Sequence, residues 1–116
     1  MFNWQSVQIF LCHRPVDMRK SIDGLAMLVS EQFHETPTNG SLYVFCNRGK
    51  DKLKILYWDR NGFCLWYKRL EKERFLLCYS PSGVVQITGQ QLRWLLDGLD
   101  YTKLKGHKSV TYSAYY

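Results

Sequence analysis

The dipeptide Asn61-Gly62 constrains the fold of this chain more than any other feature of the sequence. It lies between two runs in which apolar, basic and aromatic residues are mixed. A two-residue type I′ turn needs positive φ at both of its positions, and Asn and Gly tolerate this conformation. The dipeptide therefore predicts a β-hairpin at the centre of the chain.

A two-residue loop also predicts the register of the hairpin, because Arg60 would then face Phe63. The predicted pairs are Trp58 with Leu65, Leu56 with Tyr67 and Lys54 with Arg69 on one face, and Tyr57 with Trp66, Ile55 with Lys68 and Asp59 with Cys64 on the other. Both faces are substantially apolar, so the hairpin is expected inside a larger sheet. Lys54 opposite Arg69 is a repulsive pair whose side chains diverge into water or hold an anion between them.

Two amphipathic helices are predicted, one near each end of the chain. Asp17 is the expected N-cap of the first, whose apolar stripe consists of Met18, Ile22, Leu25, Ala26, Val29 and Phe33. Thr88 and Gln91 form a capping box that opens the second, whose stripe consists of Leu92, Leu95, Leu96 and Leu99. Each stripe is expected to pack on the sheet.

Further strands are predicted where short β-prone runs occur, at 7–12, 41–46, 52–59, 75–78 and 84–87. The length of 116 residues suits one domain. The expected architecture is α+β, a mostly antiparallel meander with a central hairpin and one helix near each end. Residues 1–100 form this single domain, and 101–116 form a basic, Tyr-rich tail that is flexible or orders on a partner.

Sequence motifs for catalysis are lacking, so the chain is expected to be no enzyme and to need no cofactor or metal. The four cysteines are widely spaced and are interpreted as small buried hydrophobes rather than metal ligands or disulfides. Asp17, Asp23 and Asp59 could serve a metal-dependent nuclease only if they converged, and each has a structural interpretation as a cap, a solvated helix residue or a turn-flanking acid.

The formal net charge of +6 favours an acidic partner, with nucleic acid first and an anionic membrane surface second. From position 48 to 74 there are nine Lys or Arg residues against four acids, interleaved with aromatic residues, a mixture that can neutralise phosphates and stack bases. No apolar run approaches the roughly 18 residues of a membrane span, and the N-terminus lacks the pattern of a signal peptide. A cytoplasmic location is therefore expected.

Four ordered blocks of the chain resemble one family closely. They are DMRKSIDGL at 17–25, LYVF followed by NRGKDKLKILYWD at 42–59, GFCLWYKRLE at 62–71 and ITGQQLRWLLDGLD at 87–100. All four are similar to the accessory protein, called TnpB or Orf2-like, of the insertion sequence sixty-six family. The resemblance implies a cytosolic bacterial protein, encoded beside a separate and larger transposase, that assists transposition of the element and has no established catalytic residues.

The resemblance leaves two hypotheses about contacts. In the first, the protein binds element-end DNA, the transposase or both, and the candidate nucleic-acid contacts are Arg19, Lys20, Arg48, Lys52, Lys54, Lys68 and Arg69. In the second, it is a protein-only adaptor for the transposase. Aromatic anchors are common at protein interfaces, and the candidate partner contacts are Trp58, Trp66 and Tyr67. The sequence leaves the oligomeric state open.

Overall fold

A computed structural model describes residues 7–77, 79 and 83–103 of the chain. Its elements are the strands β1 (Ile9–Cys12), β2 (Leu42–Cys46), β3 (Lys52–Asp59), β4 (Gly62–Arg69) and β5 (Val84–Ile87), and the helices α1 (Ile22–Leu28) and α2 (Gly89–Leu96). A π-helical turn, Val29–Phe33, extends α1, and a 3-10 turn, Tyr101–Lys103, follows α2. No helix among these described residues is long and apolar enough to cross a membrane.

The five strands form one sheet in the order β4-β3-β2-β1-β5. Three neighbouring pairs are antiparallel, whereas β1 and β2 are parallel and are joined by a crossover that contains α1. The predicted α+β class, with a mostly antiparallel sheet and a helix near each end, is confirmed. The meander covers β2 to β4 only, because β5 returns to the far side of β1.

The sheet has a hydrophobic cluster on each face. On one face Leu11, Val44 and Ile55 pack with Leu92 and Leu95 of α2. On the other face, the alternate residues of the same strands pack against α1 and its π-helical extension. The buried residues of this second cluster are Cys12, Val16, Leu25, Val29, Phe33, Tyr43, Phe45 and Leu56. Because both faces are covered, β2 is apolar and buried throughout rather than alternating.

The hairpin between β3 and β4 exists, but its predicted turn and register are wrong. The loop is Arg60-Asn61, in which Arg60 has φ 57°, and Gly62 already pairs with Asp59 in the strand. The observed pairs on one face are Trp58 with Phe63, Leu56 with Leu65, Lys54 with Tyr67 and Lys52 with Arg69, and on the other face Tyr57 with Cys64, Ile55 with Trp66 and Leu53 with Lys68.

An aromatic contact supports the observed register. The rings of Trp58 and Phe63 meet edge to face with their centroids 5.0 Å apart, whereas the predicted register would have left Phe63 opposite Arg60. The difference amounts to two residues along β4. Side chains alternate between faces with a period of two, so every residue keeps its predicted face although its partner changes.

The start of the first helix also differs from the prediction. Ser21 is the N-cap of α1, whereas Asp17 accepts a hydrogen bond of 2.9 Å from the backbone amide of Arg19 in a separate turn. The carbonyls of Met18 and Lys20 point to the amine of Lys54 instead of into a helix. Of the predicted apolar stripe, Leu25, Val29 and Phe33 are buried, the last two within the π-helical turn.

The second helix begins with the predicted capping box. The hydroxyl of Thr88 accepts a hydrogen bond of 3.1 Å from the Gln91 amide, and the Gln91 side chain accepts one of 2.9 Å from the Thr88 amide. The helix ends at Leu96, so Leu99 lies beyond it and is exposed, contrary to the predicted stripe.

Replacing Thr88 with Ala should lower the free energy of unfolding by about 1 kcal/mol, because the Gln91 amide in the first turn of α2 loses its side-chain acceptor. Chemical denaturation would measure this change. The control is Thr88→Ser, which keeps the hydroxyl and should retain most of the stability. Equal losses in the two variants would contradict the assigned capping role.

The C-terminal end of α2 is closed by backbone and by a lysine. Gly98, at φ 79°, allows its amide to donate to the Leu95 carbonyl and the Leu99 amide to donate to the Trp94 carbonyl, which is a Schellman motif. The carbonyl of Leu96 accepts a hydrogen bond of 2.8 Å from Lys68 Nζ on β4. A cation at this end of the helix also suits the helix dipole.

Residues 70–77 follow β4 as an irregular segment rather than containing the strand predicted at 75–78; Cys78 lies outside the described residues. The segment is nevertheless fixed to the sheet. The amide of Leu70 donates to the carbonyl of Asp51 at 2.8 Å, the amide of Phe75 donates to that of Lys50 at 2.7 Å, and Phe75 and Leu77 are buried.

The domain extends at least to the 3-10 turn after α2. Tyr101 is buried, and its hydroxyl lies 3.2 Å from His13 Nε2, which connects this turn to the end of β1. Burial lowers the pKa of His13, so its ring is neutral at pH 7. The remainder of the predicted tail, 104–116, lies outside the described residues.

Candidate nucleic-acid interface

A tight loop between β2 and β3 holds basic residues at one end of the sheet. Asn47 Oδ1 accepts hydrogen bonds from the amides of Asp51 and Lys52 at 3.1 and 3.0 Å, and Asn47 Nδ2 donates to Asp51 Oδ1 at 2.8 Å. The hydrogen bond from Asn47, assisted by nearby Lys52, lowers the pKa of Asp51. The closed loop exposes Arg48.

A second turn, before α1, faces this loop. Asp17 accepts hydrogen bonds from Arg19 Nε at 3.1 Å and Arg19 Nη2 at 2.7 Å, in addition to the bond from the Arg19 amide. These hydrogen bonds lower the pKa of Asp17 to about 2, so the carboxylate stays ionised and orients the guanidinium. Since the Arg19 side chain is 92% exposed and carries five N–H donors, three of them remain available to a ligand.

Lys54 fixes this turn against the sheet. Its Nζ donates to the carbonyl of Met18 at 2.8 Å and to that of Lys20 at 2.9 Å, and lies 5.7 Å from the centroid of the Tyr67 ring on β4. One amine therefore sets the positions of the turn and of the tyrosine. Hydrogen bonds from a charged donor are stronger than those between neutral groups, which suits a clamp between irregular backbone and sheet.

The loop, the turn and the strands enclose a cleft of about 700 Å³, which we call the basic cleft. Its lining residues are Pro15, Val16, Asp17, Met18, Arg19, Asn47, Arg48, Gly49, Lys52 and Tyr67. Three of these are cations, Arg19 from the turn and Arg48 and Lys52 from the loop after β2 and the start of β3, and the lining contains one carboxylate. A concave surface of this composition can bind an anion through charge-assisted hydrogen bonds.

The structure brings together three of the seven candidate nucleic-acid contacts, Arg19, Arg48 and Lys52. Arg48 makes no hydrogen bond or ion pair to another described residue, whereas Lys52 Nζ lies 3.4 Å from Asp51 Oδ2. Arg69 is opposite Lys52 in the ladder and pairs with Glu71 at 2.9 Å. The repulsive cross-strand pair predicted for Lys54 and Arg69 is therefore Lys52 with Arg69.

The other candidate cations occupy different places. The amines of Lys54 and Lys68 are hydrogen-bonded to backbone carbonyls, and Lys68 points to the face of the sheet that carries α2. Lys20 is exposed and lines a neighbouring cavity of about 180 Å³ between the turn and α1. Sequence patterns did not reveal the clamp roles of the two lysines, because each depends on a backbone more than 25 positions away.

The three candidate partner residues do not form one surface. Tyr67 is 49% exposed and lines the basic cleft, whereas Trp58 packs on Phe63 at the far end of the hairpin. Trp66 is half-buried against the cluster under α2, on the opposite face. Of the three, only Tyr67 belongs to the same site as the basic residues.

Several lining residues were not predicted as functional. Pro15, Val16 and Met18 supply an apolar part of the wall, and Asn47 organises the loop. The sequence could have indicated this closed turn, because Asn47 and Asp51 flank a basic segment that contains Gly49.

The described residues contain no group of three or more His, Cys, Asp or Glu side chains that could hold a metal ion, so Asp17, Asp23 and Asp59 do not converge in a metal site. Cys12 and Cys46 are buried free thiols, and Cys64 is a half-buried one. Burial raises the pKa of Cys12, and that of Cys46 to about 11. Neither of these two thiols is therefore activated as a nucleophile at neutral pH.

The fold and the cleft define a small α+β protein with a basic cleft at one end of its sheet. The chain belongs to the family of IS66 Orf2 like proteins, whose model matches residues 7–106. This membership confirms the resemblance and makes the chain a transposition-associated accessory protein of an insertion sequence.

Two relatives come from Sinorhizobium fredii. The uncharacterized protein y4hO is 35% identical over 97 residues, covering 84% of each chain. The uncharacterized protein y4jC is 31% identical over 101 residues, covering 87% of this chain and 86% of its own length. No solved structure matches the chain at a significant level.

Proposed function

We propose that this protein binds the DNA at the ends of its element through the basic cleft, and that it does so as a non-catalytic partner of the transposase. The observation that carries the proposal is the convergence of Arg19, Arg48 and Lys52 on one concave surface. These cations come from two segments of the chain, Arg19 from the turn before α1 and Arg48 and Lys52 from the loop after β2 and the start of β3, and the fold brings the two segments together. Phosphate groups are the anions that such a surface would find along DNA.

Local charge pairing supports the same proposal. Lys52 and Arg69 face each other across the ladder, and such like-charged pairs are unfavourable unless an anion offsets them. Each has an acidic neighbour: Arg69 forms an exposed ion pair with Glu71, and Lys52 Nζ lies 3.4 Å from Asp51 Oδ2 in a partly buried pair. The exposed pair is weak and is screened by salt, and the Lys52 contact is long, so phosphate can compete for both cations.

The test is binding of the full chain to a labelled duplex of element-end sequence at salt concentrations from about 50 to 200 mM. Three phosphate contacts predict that the logarithm of the association constant falls with the logarithm of salt concentration with a slope of about −3. A control duplex of the same length and unrelated sequence measures how much of the affinity is independent of sequence. Undetectable binding, or binding that salt does not weaken, would overturn the proposal.

A second candidate function is a protein-only adaptor for the transposase. It is favoured by exposed apolar side chains outside the cleft, at Met27, Leu76 and Leu99. Exposed apolar side chains mark an interaction surface where they form one contiguous patch, and this function would require that of Leu76 and Leu99. Co-purification with the transposase in the presence of nuclease, lost on changing Leu76 and Leu99 to Ser but kept on changing the cleft arginines to Ala, would favour this function over DNA contact.

A further inference from the structure

The basic cleft has an apolar side that phosphate binding does not require. Val16 and Met18 lie beside the cations in its lining, and Tyr67 leaves 49% of its surface exposed there. Tyr67 is the only exposed large hydrophobic residue of the described chain that lines the cleft. A site that binds only the backbone of a duplex needs positive charge and hydrogen-bond donors, not an aromatic ring.

The ring and the opposite wall are held in place. Lys54 Nζ lies 5.7 Å from the Tyr67 centroid and is hydrogen-bonded to Met18 and Lys20, so one residue fixes the spacing between strand β4 and the turn. Tyr67 is also held by its ladder pairing with Lys54. A ring fixed in this way loses little conformational freedom when a flat ligand stacks on it.

The size and mixture of groups fit one kind of ligand. The cleft is open to solvent, and its volume of about 700 Å³ is comparable with the roughly 300–1,000 Å³ of sites that take a small molecule. Aromatic rings beside a basic groove are the means by which proteins bind single-stranded nucleic acid, because unpaired bases stack on the rings while cations follow the phosphates. Bases inside a duplex are already stacked and cannot enter a concave site.

We infer that the basic cleft receives an unpaired nucleotide of DNA, with its base on Tyr67 and its phosphates at Arg48, Lys52 and Arg19. This inference rests on the proposed function and adds the form of DNA that the cleft prefers. A frayed or nicked element end offers such nucleotides, whereas an intact duplex offers only its backbone and grooves.

The test compares three DNAs of matched phosphate number: a duplex, a single strand, and a duplex with a few unpaired nucleotides at one end. The forked duplex and the single strand should bind more tightly than the duplex. Tyr67→Ala should weaken their binding about 5- to 150-fold, the effect of losing one stacked base, and should leave duplex binding within about twofold. Tyr67→Phe should restore tight binding, because it keeps the ring.

Two further variants separate stacking from folding. Tyr67→Leu keeps an apolar, strand-compatible side chain without an aromatic face. It should lose the preference for unpaired DNA, and it replaces Tyr67→Ala in the test if that variant is unstable. Trp58→Leu changes an aromatic residue of the same sheet face outside the cleft and should keep the preference. Thermal unfolding of each variant would verify that it is folded.

The outcomes distinguish the two levels of the account. Salt-dependent duplex binding that equals or exceeds binding to the fork and the single strand, or a Tyr67→Ala effect that is the same for all three DNAs, would overturn this inference and leave the proposed function standing. Failure of the duplex to bind, or binding that salt does not weaken, would overturn the proposed function, and this inference with it.

Discussion

The variant with Arg19, Arg48 and Lys52 all replaced by Ala is expected to bind element-end DNA about 100-fold more weakly at about 100 mM salt than the unmodified protein. It should also flatten the salt dependence, changing the slope by about 3 because three phosphate contacts are lost. The physical reason is that these three cations line one cleft that contains a single carboxylate. Fluorescence anisotropy across salt concentrations would measure both quantities.

Folding should survive this substitution, because two of the three side chains are exposed and none belongs to a hydrophobic cluster. The matched control removes the same amount of charge elsewhere: Lys72, Arg74 and Arg93 are exposed and lie outside the cleft. Changing these three to Ala should alter the slope by less than about 1. Equal losses in the two triple variants would mean that net charge, not the cleft, determines binding.

The substitution Phe75→Ala is expected to lower the free energy of unfolding by about 3–5 kcal/mol, which is a large share of the roughly 5–15 kcal/mol typical of a small domain. Phe75 is 0% exposed although it belongs to no strand or helix. Its ring packs in the cluster under α2, and its amide donates to the Lys50 carbonyl in the loop that borders the basic cleft.

The neighbouring residue is the control for this prediction. Leu76 is 49% exposed, and Leu76→Ala should change the stability by about 0.5 kcal/mol or less. Urea denaturation of both variants would measure the contrast. If the two substitutions cost the same, the irregular segment after β4 would not be packed as described.

Local rules predicted the parts of the fold that depend on nearby residues. The capping box of Thr88 and Gln91 needs only four consecutive positions, and it appears as expected. Alternation along β3 and β4 predicted which residues share a face, and a period of two preserves that result even when the register shifts. The short β-prone run at 41–46 likewise predicted a strand, which is observed at Leu42–Cys46.

Features that depend on distant backbone were not predicted. Asn61-Gly62 indicated the hairpin, but the packing of Trp58 on Phe63 places the turn one position earlier. Asp17 is a residue type that is common at helix N-caps. The Met18 carbonyl that follows it nevertheless accepts a hydrogen bond from Lys54, 36 positions away, and no helix begins there. The apolar run at 75–78 predicted a strand that includes Phe75. Phe75 is buried in an irregular segment instead, so its apolar side chain reflects burial and not a strand.

The candidate site was predicted in part for the same reason. Charge and the family resemblance selected Arg19, Arg48 and Lys52, and the fold placed them in one cleft. They also selected Lys54 and Lys68, whose amines hold a turn and a helix end. Composition cannot separate a cation that is available to a ligand from one that is bound to backbone, because that difference depends on tertiary contacts.

The most direct test of the account is to map element-end DNA onto the protein by amide chemical shifts, using the full chain with labelled nitrogen. Binding through the basic cleft predicts that the largest shifts occur at residues 17–19 and 47–52 and at Tyr67, with little change at Trp66 and along α2. Shifts concentrated on α2, or around Leu76 and Leu99, with the amides of the loop between β2 and β3 unmoved, would contradict it.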